Sequence, residues 1–249
     1  MRRLPTRFKP TSGFSHFVHI FLVVLLPVLI FVLVRINFAQ LAVVLIVLSK
    51  WRMFAVRPRH WLANIRANAV DMIVGVSTII FMTQTSSQLL QIIWAVAYAL
   101  WLLLIKPGTT LLSVSIQGLI AEVYGLIAIY TAWAAAPTLG LVVGVWVVCA
   151  SCARHFFTSF DEPHTRFLSD FWGYFGAALA WILGHWLIFY GPIAQPALIL
   201  LVLSFGMMTL YYLDHTDRLS VTLRRQFIFI MLAVIVVVLV FSDWGDKVI

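Results

Sequence analysis

Glu122 is the residue of this chain best placed to do chemistry. It lies in the middle of a long apolar run, flanked on its own helical face by Gly118 and Gly125. A charged side chain at that depth in lipid costs roughly 3 kcal/mol on insertion scales, so such residues face the bundle interior and are functional candidates by default. His185 stands in a later run, on a stripe with Gly173, Ala177 and Trp181. Counting about 1.5 Å per residue from the inner end of each run places Glu122 roughly 17 Å deep and His185 roughly 21 Å deep. A Glu–His pair in a dry bundle is a proton-relay arrangement. Asp71, one turn into another run and close to Arg66 and Asn68, reads first as an interfacial ion pair or a charge near a helix N-terminus. It is also the third candidate for a proton path.

Cys149-Ala150-Ser151-Cys152 forms a C-x-x-C that His155 extends to C-x-x-C-x-x-H. Thiolates and imidazole suit zinc, with His164, Asp161 or Glu162 as a fourth ligand. The plainer reading is two small residues packed at a helix end, and no metal or cofactor is expected. Two cysteines cannot build a disulfide framework, and a membrane thiol oxidoreductase would need a second, relay pair.

Other activities fail on inventory. No Lys falls within a predicted helix, which leaves no anchor for a retinal Schiff base. There is no H-x-x-H-H box, no spaced Asp pair to hold magnesium, no G-x-S-x-G, no Walker loop and no G-x-G-x-x-G.

The elements that must position these residues are apolar runs. Of 249 residues, 63% are apolar and 10% charged, against about half and a quarter in soluble domains. Lipid must therefore be the solvent for most of the chain. Helices are predicted over 17–34, 37–49, 67–82, 89–105, 110–133, 138–153, 171–190, 197–213 and 226–241. The first resembles a signal peptide but is long for one and lacks an A-x-A-like site, so it is read as retained. The fold class is all-α: one integral membrane domain over 1–249, a bundle of about nine transmembrane helices with the N-terminus inside and the C-terminus outside. That threading puts fifteen of the seventeen Lys and Arg on the inner side, leaving only Arg35 and Lys247 outside, as the positive-inside rule requires.

Residues 1–16 form a basic cytoplasmic tail. Residues 50–66 read as an amphipathic helix in the headgroup plane, with Lys50, Trp51, Arg52, Arg57, Arg59, Trp61 and Arg66 contacting anionic lipid. The net charge of +8 is explained by this arrangement, and nucleic acid is excluded as a partner. Small residues recur at i, i+4 spacing, marking close helix contacts: Ala136, Gly140 and Gly144 in one run, Gly176, Ala180 and Gly184 in the next.

Three functional readings follow. The first is a small-solute or ion permease of the cytoplasmic membrane, proton-coupled where Glu122 takes part with His185 or Asp71 assisting. The second is a non-catalytic subunit or scaffold that docks another membrane protein or a second copy. The third is an enzyme acting on lipid-borne substrates at the inner face, through His155, Asp161, Glu162, His164 and Asp170.

Overall fold

Each predicted run contains a helix in the computed structural model, which describes residues 13–133, 137–184, 189–190 and 193–243. Among these residues ten α-helices follow one another: α1 Phe14–Arg35, α2 Ala39–Ser49, α3 Trp61–Ala67, α4 Ala69–Thr83, α5 Gln88–Leu100, α6 Leu111–Ala132, α7 Thr138–Ser159, α8 Thr165–Gly184, α9 Gln195–His215 and α10 Val221–Phe241. A two-strand hairpin, β1 Phe189–Tyr190 with β2 Ile193–Ala194, precedes α9. Of the basic tail expected over 1–16, residues 1–12 lie outside the described residues and Phe14, Ser15 and His16 already belong to α1.

Among the described residues, five helices are long and apolar enough to cross a membrane: α5 with its π-helical continuation to Ile105, α6, α7, α9 and α10. The segment Pro58–Ala67 and α4, bent by 64° against each other, make a sixth if taken as one broken span. This count of five or six, by length and composition among the described residues, stands beside the nine expected spans; α1 and α2 enter it as the shorter apolar helices Ile20–Arg35 and Ala39–Ser49.

Residues 50–66 do not form the single amphipathic helix that was expected. The segment divides into 3-10 turns at Trp51–Met53 and Pro58–His60, followed by α3. Pro58 is the cause: its ring excludes the helical conformation at the residue before it, and Arg57 is extended at φ −56°, ψ 138°. Trp51, Arg57, Arg59, Trp61 and Arg66 are nevertheless exposed, as a surface connector requires. The segment is held together by the Trp61 Nε1 bond to the Val56 carbonyl and the Asn64 Nδ2 bond to that of Met53. Lys50 departs from the expectation, since its side chain is turned inward onto Asp71. The Arg52 side chain lies outside the described residues.

The α1–α2 turn and the α4–α5 loop line one pocket, which we call the Arg35 end. At the opposite, lysine end, Lys50 and Lys106 both reach Asp71 near the start of α4. The two ends of α2 therefore lie at opposite ends of α4, and α2 runs antiparallel to α4 along its length.

In lipid, helices have no hydrophobic reason to associate, so backbone proximity at small residues carries the packing. α6 is the centre. A Cβ at Gly125 would stand 2.8 Å from Ile73 of α4 and from Val148 of α7, and one at Gly118 would stand 3.5 Å from the Cys152 carbonyl and from Met208 of α9. α7 and α8 meet as closely, a Cβ at Gly173 falling 2.8 Å from the Ala150 methyl and one at Gly176 falling 2.8 Å from Cys149 Sγ. Ala180 is buried on the same face, and Gly184 lies against Leu141 and Thr138. Gly144 faces Ile129 and Trp133 of α6, whereas a Cβ on Gly140 would meet nothing within 4 Å. Ala136 lies outside the described residues.

Candidate functional site

α6 begins at Thr110, whose side chain accepts from the Ser113 N–H and so caps the helix. Three turns on, Glu122 is fully buried. Its Oε1 accepts a 3.1 Å bond from Trp172 Nε1 of α8 and a 2.7 Å bond from Ser204 Oγ of α9. The Cys149 thiol of α7 lies beside the same carboxyl. Four helices thus converge on one side chain, while Oε2 has no hydrogen-bond partner among the described residues.

Trp172 and Ser204 also line an apolar cleft of about 170 Å³ between α7, α8 and α9. The cleft extends past Met207 and Met208 to Phe156, Phe157 and Tyr211 at the lysine end. Its wall is almost wholly hydrocarbon and aromatic, with the Ser204 hydroxyl leading directly to Glu122. Such a space suits the apolar part of a small molecule, with the carboxyl behind it as the one acid–base group.

His185 lies outside the described residues, and the geometry supplies Glu122 with Trp172 and Ser204 as partners. The depth match assumed a helix over 171–190. α8 starts six residues earlier, at Thr165, and is described as far as Gly184. Neither Trp172 nor Ser204 was expected from the sequence. A small polar Ser204 two residues before Gly206, within an apolar run, is the signal that would have found α9. Nothing marks Trp172 apart from the other tryptophans.

Asp71 is an ion-pair centre, with partners more distant in sequence than Arg66 and Asn68. Its Oδ2 takes Lys106 Nζ at 2.5 Å and also Lys50 Nζ, and its Oδ1 accepts a 3.0 Å bond from Trp101 Nε1. Two ammoniums on one carboxylate leave a surplus positive charge at the lysine end, where the Lys50 side chain is only 10% exposed.

No three His, Cys, Asp or Glu side chains among the described residues are placed to hold a metal. Cys149 and Cys152 are buried thiols against α8 and α6. His155 Nε2 instead faces Gln117 Oε1 at 3.1 Å, while Gln117 Nε2 holds the carbonyls of Ile105 and Gly108. Asp170 pairs with Arg166 at 3.8 Å on the surface of α8. Glu162 Oε2 accepts a 2.5 Å bond from the Tyr211 hydroxyl. That bond is the leading cause holding the Glu162 carboxyl below the usual glutamate range.

Comparison with protein-family models, with curated proteins and with solved structures finds no match to this chain.

Proposed function

We propose that this chain is a proton-coupled permease of the cytoplasmic membrane for a small apolar or amphipathic solute. The observation that carries the reading is Glu122: a fully buried carboxyl with one oxygen fixed by two donors and the other without a hydrogen-bond partner among the described residues. Ionisable groups inside a membrane bundle mark ion and proton paths. Oε2 is the atom free to take or release a proton. Ser204 links that carboxyl to the cleft, where a solute would change the surroundings of its hydroxyl. Filling the cleft would thereby alter the hydrogen bonding of the carboxyl and bias its proton affinity, which is the coupling a symporter or antiporter requires. The membrane orientation in this reading, N-terminus inside, rests on the charge asymmetry of the loops.

The test is proton movement into proteoliposomes under an imposed pH gradient, followed with an entrapped dye. Wild-type protein should conduct or exchange protons in a solute-dependent way. Glu122→Gln should abolish that flux while keeping the acceptor that Trp172 and Ser204 require. Equal flux from the two proteins would overturn the reading.

A second reading is favoured by the same bonds. Because Oε1 ties α6 to α8 and α9, the carboxyl also serves a scaffold whose task is to hold a fixed shape for a partner subunit. That reading expects Glu122→Gln to leave every function intact.

A further inference from the structure

We infer that the apolar cleft between α7, α8 and α9 takes an uncharged molecule carrying one aromatic ring, admitted from the hydrocarbon of the bilayer and not from water. The inference deepens the permease reading, on which it rests for the cleft being the solute site.

Size sets the first limit. The cleft holds about 170 Å³, and an apolar cavity of about 150 Å³ is enough to bind benzene. A single ring fills that space. The wall sets the second limit. Phe156, Phe157, Trp172 and Tyr211 line the cleft, and Met207 and Met208 add thioethers. Rings attract one another in offset or edge-on contact, and methionine sulfur is drawn to a ring edge. This wall therefore rewards an aromatic ring over a saturated one of equal size. Its polar groups are already engaged: Ser204 Oγ and Trp172 Nε1 donate to Glu122, and the Tyr211 hydroxyl donates to Glu162. A charged occupant would enter without a partner, at a desolvation cost that an uncharged ring avoids.

Access sets the third limit. Phe171 of α8 and Met207 of α9 both line the cleft and are 55% and 49% exposed, so the cleft opens between these two helices. Counting about 1.5 Å per residue from His215, the last residue of α9, places Met207 about 12 Å in. That is the depth of lipid chains, since half of the bilayer core is about 15 Å thick. At the lysine end the Tyr211 ring packs edge-on against Phe156, Phe157 and Phe160. Its 2.5 Å bond to Glu162 ties the α7–α8 loop to α9 there. The side that faces lipid is the open one.

The test places the full chain in phosphatidylcholine nanodiscs and titrates it with fluorobenzene, read by fluorine NMR against empty nanodiscs. Fluorocyclohexane supplies the saturated ring, and 4-fluorobenzoate supplies the same ring with a charge. The expected result is a saturable component for fluorobenzene that empty discs lack. It should be at least threefold tighter than that of fluorocyclohexane, with no saturable binding of 4-fluorobenzoate. Met207→Trp, which fills the opening from its lipid-facing side, should weaken binding at least tenfold. Phe229→Trp, on the exposed face of α10, controls for added bulk in lipid and should leave it unchanged. No saturable binding by wild type, fluorocyclohexane or 4-fluorobenzoate bound as tightly as fluorobenzene, or equal binding by Met207→Trp overturns the inference. A cleft held by a lipid chain gives the first of these results. Failure of the permease reading shows separately, as fluorobenzene that binds yet drives no proton flux in proteoliposomes. Proton flux driven by a charged solute, without fluorobenzene binding, keeps that reading and overturns this one.

Discussion

Ser204 of α9 donates a 2.7 Å hydrogen bond to Oε1 of Glu122 in α6, joining residues 82 positions apart in the chain at the back of an apolar cleft. The same oxygen takes Trp172 Nε1 from α8. Removing the acceptor should therefore cost more than removing a donor. Glu122→Leu leaves an indole N–H and a hydroxyl buried without a partner and should destabilise by roughly 1–3 kcal/mol for each strand of that loss. Glu122→Gln keeps the acceptor and should fall near wild type. Unfolding in mixed micelles checks the order, and equal stability of the two variants would contradict it.

Asp71 should be the most sensitive charged position. With Asp71→Ala, Lys50 and Lys106 face each other without a counter-charge, and breaking a buried pair in this way costs roughly 3 kcal/mol or more. Lys50→Met should cost much less, because the Lys106–Asp71 pair persists and the surplus charge is removed. Melting temperatures of the two variants in one detergent give the comparison. A Lys50→Met variant as unstable as Asp71→Ala would show that the surplus charge is no burden.

Packing at small residues differs by position. Gly173→Ala would press a methyl against the Ala150 methyl and the Trp146 indole, at 2.8 and 3.0 Å, and overpacking of this sort costs about 1–3 kcal/mol. Gly140→Ala meets open space and should be neutral or gain up to about 1 kcal/mol in helix propensity. Reversal of that order, measured by denaturant unfolding, would contradict the close approach of α7 and α8.

Acid should weaken the junction of α7, α8 and α9. The Tyr211 hydroxyl holds the Glu162 carboxyl below its ordinary range, aided by the His164 backbone N–H and by the nearby His164 and His215 side chains. A carboxylate whose folded pKa is depressed contributes stability above its unfolded value and loses it as pH falls through the lower folded value. Wild type should lose thermal stability below about pH 4, beneath the ordinary glutamate value. Tyr211→Phe, which keeps the ring packed against Phe156, Phe157 and Phe160, should lose less over the same interval. Equal acid sensitivity would assign the effect elsewhere.

The helices were legible because run length and apolarity determine where a chain can bury its backbone bonds in lipid. Glu122 was legible for the same reason, as a lone carboxyl between glycines in a run that excludes charge. Partners were not, because hydrogen bonds across helices depend on register that no single run encodes. Lys50 illustrates this: within a basic loop it reads as a headgroup contact, and only the antiparallel course of α2 along α4 turns it onto Asp71. The connector misled through periodicity, its apolar stripe suggesting one helix where Pro58 imposes a break at Arg57. α8 was misplaced because charged Arg166 and Asp170 were taken as loop, although an i, i+4 pair is accommodated at a helix end.

Proton coupling as proposed requires that the Glu122 carboxyl exchange protons with water. Infrared difference spectroscopy of reconstituted protein titrated with bulk pH, with Glu122→Gln to assign the band, tests it directly. A carboxyl in exchange with water gives a Glu122 band that changes with bulk pH and shifts within seconds in heavy water. A band that neither titrates nor exchanges over hours would make the carboxyl a structural tie between α6, α8 and α9, and would contradict proton coupling.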